Sequence, residues 1–172
     1  MRKLLFAVVG FGLVAVGCVR QPQVINAPPT SQYDNEKAAM FMAEGPNTIR
    51  GNAFLKTRGG EVRTCAGNPV LLLPDVQYNR SVLQQSHPSG SRSARQPSVD
   101  LGAATSVFTQ YGRKTTCDSN GEFIFDNVAE GDFIILSRVV WEVPGSGYQG
   151  GEMVDYVSTR NKSNQKVIIT RY

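Results

Sequence analysis

The sequence predicts an all-β protein: a β-sandwich of about seven strands, preceded by a short helix and a flexible tether. Two observations carry that expectation. In "DFIILSRVVWEV", Phe133, Ile135, Val139, Trp141 and Val143 fall on one side and Ile134, Leu136, Arg138, Val140 and Glu142 on the other. Strict period-2 spacing over that length marks a long half-buried strand. Around it, short β-rich segments alternate with turn signals from Asn47 to the last residue, the layout of a sandwich.

The chain opens with "MRKLLFAVVGFGLVAVGC", where Arg2 and Lys3 precede an unbroken apolar stretch from Leu4 to Val16. Spanning a bilayer takes about 20 apolar residues, so the stretch fits the core of a secretory signal over 1–17. Its end, "AVGC", resembles the lipobox of bacterial lipoproteins, with Ala15 where that motif prefers Leu. The resemblance implies cleavage before Cys18 and acylation of that cysteine, which would hold the protein on a membrane without a spanning helix. It also implies the outer membrane, where the organism has one, because Val19 stands where inner-membrane lipoproteins often carry Asp.

Of the 172 residues, removing the first 17 leaves 155, enough for one domain with a substantial core. The whole chain has 18 basic and 14 acidic residues; without Arg2 and Lys3 it has 16 against 14, a formal charge of +2. No dense basic patch points to nucleic acid.

Each further element follows in order. Residues 18–34, rich in Pro and polar side chains, read as a tether. A short helix over 35–45 is expected, capped by Asn35 and stopped by Gly45–Pro46, with Met40, Phe41 and Met42 docking on the domain or meeting a partner. The sandwich then occupies 47–172. "TIRGNAFL" and "EVRTCAG" flank a turn at Arg58–Gly60, and the run Val70–Leu73 suits a strand buried on both faces. An inserted loop over 79–106 follows, with a helical turn near Arg80–Gln85 and a mobile, Ser/Gly/Arg/Pro-rich remainder that includes Arg92 and Arg95. "GEFIFDNV", the long period-2 strand, a Gly-rich turn at "VPGSGYQGG", "EMVDYVSTR" and "QKVIITRY" complete the set.

Two stretches resemble the carboxypeptidase regulatory-like domain, a transthyretin-like (prealbumin-like) Greek-key β-sandwich. The first carries Ile49, Gly51, Gly60, Ala66–Gly67, Val70, Leu72 and Pro74; the second carries Thr116, Asp118, Gly121, Phe123, Phe125, Val128, Gly131 and Phe133. The pattern has a physical basis. Asp118 can bond its own backbone in a turn, Gly121 can take positive φ, and Phe123 and Phe125 reach the core two residues apart. Gly131 is expected to open a tight turn. Such domains are mostly accessory or binding modules, so the resemblance implies a fold and no catalysis.

The chemical inventory agrees with that expectation. The sole histidine is His87, in the inserted loop. Hydroxyisourate hydrolases of this fold use several histidines and a C-terminal Tyr-Arg-Gly-Ser motif, whereas this chain ends "ITRY". Intradiol dioxygenases need two histidines for iron. "DSNGE" at Asp118–Glu122 resembles the start of a calcium loop, but the twelfth position is Ala129 where a bidentate Glu is required. No metal or other cofactor is expected. With Cys18 lipidated, Cys65 and Cys117 remain in an oxidising compartment, each before a turn, and a structural disulfide between them is the expected state. A redox-active thiol and a buried free pair are the alternatives; neither a CxxC spacing nor a neighbouring His supports the first.

The functional expectation is a non-catalytic envelope lipoprotein whose sandwich serves as an interaction or structural module, held on the membrane through Cys18 and partnered by another envelope protein. Met40, Phe41, Met42, Arg92 and Arg95 are its candidate contacts. The alternative is a glycan- or peptide-binding module with Tyr111, Trp141, Tyr148 and Tyr156 along one face, Trp141 fitting the core better. A hydrolase is the least supported reading.

Overall fold

The computed structural model describes residues 33–86, 102, 104–161 and 163–171. Within them the chain forms α1 (Asn35–Met42), β1 (Glu44–Lys56), β2 (Val62–Thr64), β3 (Pro69–Pro74), α2 (Gln77–Ser86), α3 (Ala104–Tyr111), β4 (Arg113–Thr116), β5 (Glu122–Val128), β6 (Asp132–Val143), β7 (Gly147–Ser158) and β8 (Asn164–Arg171). The strands make an all-β sandwich of two four-stranded sheets. In one, β1 runs parallel to β8 along one edge and antiparallel to β5 and then β2 along the other. The other is antiparallel throughout, in the order β4-β3-β6-β7.

Alternation explains the interior. Along β1 every second residue is buried, Asn47, Ile49, Gly51, Ala53 and Leu55, and β5 and β8 add Phe123, Phe125, Val167 and Ile169. Paired residues of adjacent strands share a face, so these side chains form one apolar layer. Val70, Leu72, Phe133, Ile135, Val139 and Met153 are buried on the other sheet. Gly51 is required by a close approach: a Cβ there would lie 2.1 Å from Cζ of Phe123, its register partner.

The motif that suggested the fold is built as its residues require. Asp118 Oδ1 accepts from the backbone N–H of Asn120 and of Glu122, each at 2.8 Å, and Gly121 has φ 78°. The disulfide joins Cys65 to Cys117 with their Cα atoms 5.8 Å apart, and both residues are buried. It fixes the turn after β2 to the turn before β5.

Four expectations are corrected. Asp34, not Asn35, caps α1, its carboxylate accepting from Lys37 N at 2.9 Å, while Asn35 accepts a bond from the Tyr111 hydroxyl at 2.8 Å. The helix ends at Met42 and β1 already includes Gly45 and Pro46; Gly45 is there because the Val128–Ala129 backbone passes too close for a side chain. Gly131 does lie in the tight turn between β5 and β6, where it makes room for the Phe41 ring, which also meets Phe133 at 5.8 Å. The Gly-rich turn shrinks to Pro144–Ser146, because Tyr148–Gly151 pair with β6 as strand.

The fourth correction concerns the inserted loop and the long strand together. The 79–106 segment begins inside a full helix, α2, and ends inside another, α3. Both lie on the outer side of the second sheet. Leu73, Ile134 and Tyr156 stand in register across three strands; Leu73 lies against Gly112, the residue that follows α3, and the Arg80 guanidinium of α2 sits 5.8 Å over the Tyr156 ring. Hence β6 is buried on both faces from Phe133 to Ser137 and only half-buried beyond. Arg92 and Arg95, as well as His87 and Cys18, lie outside the described residues.

Polar groups secure the sandwich ends. The Thr159 hydroxyl donates to Ala129 O at 2.8 Å and accepts from Gly131 N at 2.9 Å, tying the β5–β6 turn to the end of β7. The Arg113 guanidinium donates to the carbonyls of Asp126 and Asn127, where Asn127 takes φ 54°.

Candidate functional site

With helices over the outer face of the second sheet, the outer face of the first is the one left uncovered by the described residues. Its composition follows from the same alternation that fills the core. As the odd residues of β1 point inward, Thr48, Arg50, Asn52, Phe54 and Lys56 point outward, and the pairings place neighbours beside them. Arg50 lies between Lys166 and Ile124; Asn52 lies between Ile168 and Glu122; Phe54 lies between Thr170 and Thr64. Ile168 is 56% exposed and Val62, opposite Lys56, 54%.

A groove of about 660 Å³ runs across this face. Arg50, Asn52 and Ile124 form its floor, Asn164 to Lys166 one side, and Thr115, Thr116, Asp118 and Glu122 the other. Asn52 is held in place, its amide donating to Asn120 O at 3.0 Å. Asp118 is committed to its turn. Thr48 donates to Asp126 at 3.1 Å. The side chains of Arg50, Lys166 and Glu122 make no hydrogen bond or ion pair with any described residue. The groove is therefore walled by amides, hydroxyls and charges that can donate or accept.

A second depression of about 410 Å³ lies between α3 and the β3–β4 edge, with Leu71 and Phe108 inside and Lys114 at its mouth.

The groups with displaced pKa lie away from the groove. Burial pushes the Tyr33 hydroxyl up to about 12, where its ring stacks on Tyr111 at 4.8 Å. Burial raises the Glu152 carboxyl, against a smaller opposing pull from Arg138, its cross-strand partner. A hydrogen bond from Ser158, then Arg160, lowers Asp132. Each of these is explained by packing or pairing within the fold.

The sequence-predicted contacts separate. Of the three on α1, Phe41 is buried, Met42 is half-buried and Met40 is 72% exposed. The four aromatics do not share a face, which corrects that expectation. Tyr111 is packed on Tyr33. Trp141 lies against the core and over Gly150. Tyr148 and Tyr156 are exposed on the same side of β7 but eight residues apart, roughly 26 Å along a strand. Among the described residues no three His, Cys, Asp or Glu side chains are grouped to hold a metal ion, and no helix is long and apolar enough to cross a membrane.

No protein-family model matches the chain, and no curated protein matches it. Among solved structures, the chain is similar to a "putative carbohydrate binding protein" from Pseudomonas aeruginosa, with a TM-score of 0.65 and 24% identity, covering 81% of this chain and 98% of that one. It is also similar to the fimbrial protein FimP from Actonomyces oris, at a TM-score of 0.35 and 12% identity, over 74% of this chain and 30% of the fimbrial one. The first likeness shows the β-sandwich fold.

Proposed function

We propose that this chain is a non-catalytic binding module of the cell envelope, anchored by lipid on Cys18 and presenting the open face of its first sheet to a saccharide. The observation that carries the proposal is the groove of about 660 Å³ on that face. Sugar hydroxyls need closely spaced donors and acceptors, and the groove offers amides from Asn52, Asn164 and Gln165, hydroxyls from Thr115 and Thr116, and charges of both signs. The Pseudomonas aeruginosa protein of similar fold is itself described as a "putative carbohydrate binding protein", which is consistent with a saccharide ligand. The resemblance to carboxypeptidase regulatory-like domains supports an accessory role, and the lipobox with Val19 supports the outer membrane.

The alternative, a structural module of an envelope assembly, draws on β7, which among the described strands pairs with β6 alone and so forms an edge where a strand could add. The saccharide reading is preferred because the groove supplies a concave site with convergent polar groups, whereas an edge strand supplies backbone only. Saturation-transfer NMR of the full chain in non-ionic detergent against a panel of envelope oligosaccharides tests it. Binding that falls about tenfold in Asn52→Ala, roughly the effect of one lost charge-assisted or paired hydrogen bond, is expected. Binding unaffected by Asn52→Ala, or no binding at all, refutes the assignment. Loss of acyl labelling and of membrane association in Cys18→Ala checks the anchor.

A further inference from the structure

We infer that the saccharide is an acidic one and that its carboxylate seats between Arg50 and Lys166; this rests on the groove being the saccharide site. The two cations are direct register partners on the parallel pair β1–β8 and share the open face. Strands in a sheet lie roughly 4.8 Å apart, so two unit positive charges rise side by side from adjacent backbones. Like charges directly opposite one another destabilise a sheet. Some exposed cations of the fold meet carboxylates, Arg63 with Glu61 and Arg160 with Asp132; Arg50 and Lys166 have no such partner among the described residues, and they stand side by side. On the β8 side their neighbours are Asn164 and Ile168, neither of which carries charge.

An anion bridging the pair removes the repulsion and gains charge-assisted hydrogen bonds. The planar guanidinium of Arg50 matches a carboxylate in two-pronged fashion, while the Lys166 ammonium adds a third donor. The rest of the groove limits what else the anion can belong to. Glu122 and Asp118 stand on the β5 side, and Asp126 beside Thr48, so cations occupy one side and carboxylates the other. A nucleic acid or an anionic membrane surface presents negative charge throughout and would be repelled from the β5 side. A saccharide with a carboxylate on one ring and hydroxyls on the next fits both, its acid group on Arg50 and Lys166 and its hydroxyls donating to Glu122.

The test uses the full chain in non-ionic detergent with oligosaccharides in which glucuronate, or in a second series galacturonate, alternates with a neutral sugar, each as the free acid and as its methyl ester. Esterification removes the charge and keeps the rings. The free acid of at least one series is expected to bind at least about tenfold tighter than its ester and to weaken with salt. Arg50→Gln and Lys166→Gln should each bring the affinity for the acid down towards that for the ester, and Arg50→Lys should retain part of the preference. Thermal melts of the variants confirm that the sheet is intact. Equal affinity for acid and ester, or a preference that survives both Gln variants, overturns the inference and leaves the saccharide reading standing. Failure of acid and ester alike to perturb the Asn52 amide resonance overturns both. Tighter binding to anionic phospholipid vesicles than to any oligomer overturns the inference as well.

Discussion

Replacing Gly51 by alanine should force the core apart at one identifiable contact. The new Cβ would lie 2.1 Å from Cζ of Phe123 and 2.6 Å from each Cε. Carbon atoms at van der Waals contact need about 3.5–4.0 Å, so ring or strand must retreat by roughly 1.5 Å. The ring has little room. Phe123 is only 5% exposed, and its centroid is 6.0 Å from that of Phe125. Overpacking of this kind costs about 1–3 kcal/mol, and the better strand propensity of Ala over Gly returns about 0.5–1 kcal/mol. Gly51→Ala should therefore destabilise by about 1–2 kcal/mol, lowering the melting midpoint by about 2–8 °C for a domain of this size. Urea unfolding under oxidising conditions measures it. Phe123→Leu removes the ring atoms in question, so in the double variant the alanine should cost nothing further, giving a coupling of about 1 kcal/mol or more. Additive single effects, or a Gly51→Ala cost below about 0.5 kcal/mol, would show that the ring does not need the glycine.

Three further outcomes follow from individual contacts. The disulfide spans a sequence separation of 52, for which chain entropy gives about 4 kcal/mol, so Cys65→Ala/Cys117→Ala should lose up to that amount in urea unfolding; a loss under about 1 kcal/mol would contradict it. Thr159→Val keeps the shape but strands Gly131 N–H and Ala129 O, costing about 1–3 kcal/mol, whereas Thr159→Ser should restore most of the stability. Glu152 has its proton held more tightly folded than unfolded, so its contribution favours the fold below about pH 4.5 and fades as pH rises through the higher folded value. The stability of wild type relative to Glu152→Gln should accordingly fall with rising pH across that window, and a difference that grows with pH would contradict burial as the dominant cause.

The strands were legible because alternation is a local signal, as the residues from Phe133 to Val143 show. The Asp118–Gly121 turn was legible because its backbone geometry demands particular residue types. What escaped was tertiary. Ile134 and Leu136 are apolar on the side assigned to solvent, a sign that something covers it. The cover includes α3, whose Ala104, Val107, Phe108 and Tyr111 have helical spacing; the polar, Gly- and Pro-bearing residues before them masked that rhythm. The candidate site was illegible for a stronger reason. Arg50, Glu122 and Lys166 are ordinary solvated residues in three separate strands, and only the register of β1 with β5 and with β8 assembles them. Nothing local announces a parallel pairing between the first strand and the last.

Core and groove are also joined by covalent and hydrogen-bonded links. The Cys65–Cys117 bond anchors the chain one residue before Asp118, whose carboxylate shapes the turn. That turn supplies Asn120 O, which holds the Asn52 amide in the floor of the groove. Opening the disulfide should therefore be felt in the groove before the sandwich unfolds, because the turn is exposed while the strands behind it are buried. In the reduced protein under native conditions, faster hydrogen exchange at Asn120 and Glu122 with unchanged protection in β6 is the expected pattern. Uniform loss of protection would mean that the bond supports only global stability and that the turn positions Asn52 without it.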